Sequence, residues 1–219
     1  MTVQIIRTND GSDTYYCPHA NEHYHSVHGA ITESLHVFIT NGLLQCTKRS
    51  VSVLEVGFGT GLNALLTCIQ ALKQQIQINY TAIEKNPLCS DELSALNYGK
   101  LLGPEAGIWF SAIHECRWNI TAPIHAGFIL HKQTGDINNM TLSGMYDVVY
   151  YDAFSPGAQP EMWTGHIFSN LFNHMLPGAV FTTYSAKGAV RRLLQSAGFT
   201  VHRLSGPAGK REMLNAIKP

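Results

Sequence analysis

Runs of apolar residues and stretches with helical spacing take turns along this chain, and the switches between them lay out its elements. Val51-Ser52-Val53-Leu54-Glu55-Val56 is a short, mostly apolar run that stops at glycines, the signature of a buried strand. The segment from Leu62 to Leu72 reads as the first crossover helix, and Gln77-Ile78-Asn79-Tyr80-Thr81-Ala82-Ile83 as a second strand ending at Glu84. A helix is expected over 91–101, and residues 102–124 give no clear pattern. Strands follow at 127–132 and at 146–151, the latter apolar on both faces as a central parallel strand requires. A helix begins in Gln159–Thr164 and runs to Met175; then come a strand over 179–183, a helix over 188–197 and two strands over 199–204 and 210–217. The last two form a hairpin. Helices and strands thus alternate until one strand reverses, which predicts an α/β fold with a mostly parallel seven-stranded sheet and one reversed strand.

The first 45 residues break that rhythm. Asn9-Asp10-Gly11-Ser12 separates two strand-like segments, so residues 4–17 are expected to form a β-hairpin. Ile31, Leu35, Phe38 and Ile39 recur at helical spacing over 31–44, with Thr32 as the expected cap. The chain therefore divides into an N-terminal extension, 1–45, packed on a main domain, 46–219.

Composition narrows the class. With 219 residues and 45% hydrophobic content the chain suits one well-buried domain. No stretch approaches the roughly 18 apolar residues of a membrane span, and the N-terminus lacks the basic and apolar regions of a signal peptide. Cys17, Cys46, Cys68, Cys89 and Cys116 are odd in number and form no C-x-x-C pair, which fits reduced thiols in the cytoplasm. The histidines at 19, 23, 25 and 28 complete no recognised metal spacing, so no metal is expected. Net charge is zero but uneven: Lys187, Arg191, Arg192, Arg203, Lys210, Arg211 and Lys218 face only Glu212 after Ser185. Such an excess suits either a polyanion such as RNA or a solvated face.

The chemistry concentrates after the first strand. Gly57-Phe58-Gly59-Thr60-Gly61 turns the chain into a helix, where backbone N–H groups come close to a ligand. The dinucleotide fingerprint needs G-x-G-x-x-G, and here the third glycine falls one residue early. With Glu55 ahead of it and Asn63 behind, G-x-G-x-G is typical of class I methyltransferases that bind S-adenosylmethionine. Glu84, beside Lys85 at the tip of the second strand, suits a ribose diol in either cofactor. Gly135 and Asp136, past the third strand, suit an adenine amine or a plain turn. Asp152 ends the central strand, where open α/β sheets bind ligands.

Several blocks together resemble one family. Gly57-Phe58-Gly59-Thr60-Gly61-Leu62-Asn63, Asp152-Ala153-Phe154-Ser155-Pro156, Pro160-Glu161-Met162-Trp163-Thr164 and Gly209-Lys210-Arg211-Glu212-Met213-Leu214 look like the bacterial tRNA wobble-uridine methyltransferases of the MnmD type. These are the stand-alone counterpart of the methyltransferase half of bifunctional MnmC. The resemblance implies S-adenosylmethionine as donor and 5-aminomethyl-2-thiouridine in the anticodon loop of tRNA as acceptor. It also implies a monomer without the flavin-dependent half, hence no FAD. In that reading Asp152 orients the amine and takes its proton, while Phe154 and Pro156 keep water out. Tyr24, Ser26 and Glu33 close the pocket, Trp163 stacks on a base, and Arg191, Arg192, Lys210 and Arg211 hold phosphates.

Two other readings remain. An aminopropyltransferase of the spermidine-synthase type also pairs a glycine loop with a Tyr-Asp-Val strand, but its polycationic substrate suits a more acidic site. A non-enzymatic nucleotide- or RNA-binding module leaves the acidic strand ends without a task.

Overall fold

The computed structural model describes residues 3–219; Met1 and Thr2, the start of the stretch read as carrying no secretion signal, lie outside them. The main sheet has eight strands. In chain order these are β4 (Ser50–Val56), β5 (Gln77–Glu84), β6 (Thr121–His125), β7 (Phe128–Thr134), β8 (Tyr146–Tyr151), β9 (Met175–Thr183), β10 (Thr200–Ser205) and β11 (Glu212–Ile217). Their spatial order is β10-β11-β9-β8-β4-β5-β7-β6. The pairs β4–β5, β4–β8, β5–β7 and β8–β9 are parallel, and β11 runs antiparallel between β9 and β10. The seven expected strands are all present. The eighth, β6, lies in the stretch that carries no periodicity and pairs antiparallel with β7 at the edge, with an irregularity around Pro123. A proline is tolerated there because an edge strand leaves alternate N–H groups unpaired.

Helices cover both faces. On one, α2 (Leu62–Gln74) and α5 (Pro104–Glu115) pack with Val51, Val53, Tyr80, Phe128 and Tyr150. On the other, α6 (Gly165–Asn173) and α7 (Gly188–Ser196) pack with Leu54, Val56, Tyr151 and Phe181. The odd-then-even split of β4 residues between the two clusters is the period of a strand buried on both sides. The helix expected over 91–101 is two short ones, α3 (Ser90–Ser94) and α4 (Tyr98–Leu102). Cys89 and Glu92 cap α3 reciprocally, and Asn97 between the pieces is tied instead to the N-terminal hairpin.

That hairpin, β1 (Gln4–Arg7) with β2 (Asp13–Cys17), gains a third strand, β3 (Glu22–His23). Its turn is organised by Asp10, which accepts from Thr8, from Ser12 and, at 2.9 Å, from both the N–H and the hydroxyl of Thr32. Helix α1 (Ala30–Ser34) is therefore capped by a side chain from the hairpin. Thr32 is a donor inside the helix rather than its cap, and Gly29 holds the cap position. The expected single helix over 31–44 continues as a wide π-type turn, Leu35–Thr40, that seats Phe38 against Tyr150.

Candidate active site

The carboxyl ends of β8, β4, β5 and β7 lie side by side, and each carries one of the polar groups picked out above. At a strand spacing of about 4.8 Å the row spans about 14 Å, the reach of an extended nucleoside. Asp152 follows β8, the glycine loop follows β4, Glu84 ends β5, and Gly135-Asp136 follow β7. They open onto a crevice of about 730 Å³, within the range of small-molecule sites. The extension supplies the facing wall, including Glu22, Tyr24, Ser26 and Glu33.

The glycine loop is shaped by close approach. Gly57 has φ +92°, and a Cβ there would lie 2.5 Å from the carbonyl oxygen of Asp152. The N–H of Asp152 in turn donates to Val56 at 2.9 Å, and that of Gly57 to Ile83 at 3.0 Å. Glu84 accepts from the N–H groups of Gly59 (3.0 Å) and Asn86 (2.9 Å), which fixes its carboxylate while leaving a lone pair on each oxygen. Lys85 pairs with Asp136 at 2.9 Å, and Asn138 holds the other oxygen of that carboxylate. These bonds keep Asp136 below its ordinary range, the backbone N–H of Asn138 contributing most.

Beneath the loop runs a buried polar chain. The amide of Asn63, on the first turn of α2, donates to Glu55 at 3.0 Å and to Asp152 at 2.8 Å. Glu55 is wholly buried under the loop and does not reach the crevice, and burial raises its pKa well above the usual carboxylate range. Asp152 does line the crevice. Burial lifts its carboxyl to about 7, with the charge of Glu33 pushing the same way and the Asn63 bond and Lys210 opposing.

Glu33 is buried, one oxygen accepting from the Ser26 N–H and the other from the Lys210 ammonium, both at 2.7 Å. Lys210 thus turns into the crevice, away from the outward phosphate role expected for it. Other expectations also give way to packing. Trp163 is buried among Tyr151, Phe168 and Tyr184, and its indole N–H donates to Phe154 O at 2.8 Å. It braces the Ala153-Phe154-Ser155 loop and offers no face to a base. Phe58 lines the crevice beside Gly57 and Gly59, its ring packed on His114 and Trp118. Thr60 and Gly61 lie below the loop, Thr60 bonded to His25 at 2.7 Å and Gly61 (φ +73°) capping α2. Pro156 is half-buried outside the crevice wall, and Phe154 lines it with its ring against Tyr24 at 5.1 Å.

Sequence reasoning missed Glu22, whose carboxylate accepts from the Ser155 N–H at 2.8 Å and from the Ser155 hydroxyl. It missed Tyr184, whose hydroxyl donates to Ala153 O at 2.9 Å. The neutral His25, pulled down to about 4 by burial, was seen only as a metal candidate. Of the basic residues beyond Ser185, Lys210 and Arg203 have carboxylate partners within 4 Å, and Lys218 caps the end of α6. Arg192 and Arg211 are exposed, and Arg191 is half-buried.

A mostly parallel sheet with this strand order, β11 reversed near one edge (β6 is a second reversed strand, at the other), a G-x-G-x-G turn and acidic strand tips is the fold of class I S-adenosylmethionine-dependent methyltransferases. The family described as "S-adenosyl-L-methionine-dependent methyltransferase" matches residues 118–219. Over nearly its whole length the chain is a homologue of part of the MnmC proteins. It is 34% identical over 214 residues to the "tRNA 5-methylaminomethyl-2-thiouridine biosynthesis bifunctional protein MnmC" of Cupriavidus necator, covering 90% of this chain and 32% of that protein. The protein of the same name from Cupriavidus metallidurans is 34% identical over 227 residues, covering 96% and 33%. The crystal structure of MnmC2 from Aquifex aeolicus superposes with a TM-score of 0.82 at 25% identity, over 100% of this chain and 70% of that one. The chain spans about one third of the length of the curated relatives it matches. Among the described residues no helix is long and apolar enough to cross a membrane.

Proposed function

We propose that this chain transfers a methyl group from S-adenosylmethionine to the exocyclic amine of 5-aminomethyl-2-thiouridine at the wobble position of tRNA. The relatives are named for the biosynthesis of the methylaminomethyl product. The observation that carries the reading is Asp152, at the crevice end of the central strand, with one oxygen held by Asn63 and its proton affinity near neutral.

The crevice residues fit the donor. Glu84 has free lone pairs for a ribose diol, and Gly135, Asp136 and Ile137 line the neighbouring stretch for an adenine edge. S-adenosylmethionine supplies, when bound, an electrophilic methyl group. Everything else is the protein's task. An alkylamine of this kind resembles lysine, with a pKa of about 10.4, and is protonated at neutral pH. Asp152 as carboxylate attracts that ammonium, orients it and accepts its proton, which frees the lone pair. A carboxyl with a pKa of about 7 suits a base working near neutral pH. Phe154 and Tyr24, ring against ring, wall the acceptor side and exclude water. Arg191, Arg192 and Arg211, with no carboxylate bound among the described residues, meet phosphates of the anticodon stem. We read residues 1–45 as an extension that completes the crevice, and the chain as a monomer working in the cytoplasm, where its tRNA is found.

The aminopropyl-transfer reading is disfavoured because Lys210 brings a positive charge into the acceptor side. The test is mass analysis of tRNA nucleosides after incubating the protein with undermethylated tRNA and labelled donor. Label in the methylaminomethyl nucleoside is expected. Asp152→Ala should lower turnover by about 10²- to 10⁴-fold while donor binding stays within several-fold. Near-normal turnover in that variant would remove the role given to Asp152.

A further inference from the structure

We propose that Lys210 is a positioning residue that neutralises Glu33, leaving Asp152 as the open carboxylate of that pair for a cation that enters this end of the crevice. The kinetic part of this inference rests on the methyl-transfer reading above; the part that concerns the resting protein does not.

The geometry fixes Lys210 from two sides. Its ammonium meets Glu33 at 2.7 Å and lies 3.9 Å from the centroid of the Tyr184 ring. Tyr184 is anchored by its hydroxyl to Ala153, the residue after Asp152. Glu33 is anchored by the Ser26 N–H. Asp152, Glu33, Tyr184 and Lys210 all line one crevice. Two carboxylates and one ammonium leave that end with a net charge of −1, which an incoming ammonium neutralises. Without Lys210 two bare carboxylates would share the space, and like charges at close range hold one of the pair protonated.

Other ionisable groups around Asp152 are already engaged. Glu22 is bonded to Ser155, Tyr24 packs on Phe154, and Glu55 and Tyr80 lie buried beneath Asn63. Glu84 is held by Gly59 and Asn86 on the next strand but one, and Lys187 sits outside near Gly157. Glu33 and Lys210 are therefore the pair whose charges Asp152 feels most directly, in opposite senses.

The experiment follows the Asp152 carboxyl by ¹³C NMR in protein labelled at aspartate, assigned with Asp152→Asn, alongside pH profiles of kcat/KM for methyl transfer. Lys210→Met should move the Asp152 titration and the acid limb of the profile up by about one pH unit. Glu33→Gln should move both down, the double variant should return near the wild-type value, and Lys210→Arg should restore it. Should Lys210→Met fail to fold, the downward move in Glu33→Gln decides. A titration unmoved in Lys210→Met, with a raised KM for tRNA and a shallower salt dependence, would overturn the proposal in favour of a phosphate contact. If the wild-type protein transfers no methyl group yet the titrations move as stated, the positioning role stands and the reaction assigned above fails instead.

Discussion

Replacing Asp152 with Asn should make the protein more stable and inactive, and the gain should depend on pH. Burial lifts this carboxyl from an ordinary 3.8 to about 7. A carboxylate whose folded pKa is raised favours the fold most below the unfolded value, and that advantage is lost as pH rises through the folded one. Above pH 7 the full difference opposes folding, and about three pH units correspond to ~4 kcal/mol. Asp152 keeps partial exposure to crevice water, so half of that, ~2 kcal/mol, is the better figure. The substituted amide keeps an acceptor oxygen for Asn63 and carries no charge. In a domain of this size, 1 kcal/mol moves the melting temperature by about 2–4 °C, so the variant should gain roughly 4–8 °C at pH 8.5. At pH 5 the gain should fall to about one third, because much of the titration gap has closed. Urea denaturation of both proteins at the two pH values measures this directly. Glu55 is common to both and cancels. An equal gain at both pH values, or a loss at pH 8.5, would refute the claim that Asp152 is a strained, buried base.

Asn63→Leu removes the amide that serves both Glu55 and Asp152; urea curves should show a loss of about 2 kcal/mol. Its acid limb of activity should rise, since that bond lowers Asp152. Gly57→Ala drives a Cβ to 2.5 Å from the Asp152 carbonyl at φ +92°, so calorimetry should find donor affinity down more than about tenfold. Alanine at Arg191, Arg192 and Arg211 should each reduce the slope of log affinity for tRNA against log salt by about 1, whatever the tRNA sequence; unchanged slopes would move the RNA to another face.

Much of the fold was legible because its signals are local. Apolar runs that stop at glycine or an acidic residue mark the parallel strands, and the early third glycine set the cofactor class. The edge strand β6 stayed hidden because a half-buried strand containing Pro123 has no clean alternation. The break between α3 and α4 depends on Asn97 reaching the hairpin, 84 and 86 residues away in sequence. The site divides the same way. Gly57, Glu84, Asp136 and Asp152 sit at strand tips that local pattern locates, whereas the Glu22–Ser155 and Glu33–Lys210 contacts join residues 133 and 177 positions apart. Trp163 misled because a tryptophan beside a catalytic loop looks alike in sequence whether it faces a base or the core.

Gly57 and Asp152 approach each other through main-chain atoms, so the turn proposed to cradle the donor and the carboxylate proposed to ready the acceptor move as a single rigid piece. Drift in one would misalign the other. The N-terminal cover and the segment around Lys210 can change shape without moving that hinge-less joint, though their charges still reach Asp152. New acceptors are most readily accommodated by rewriting those two margins.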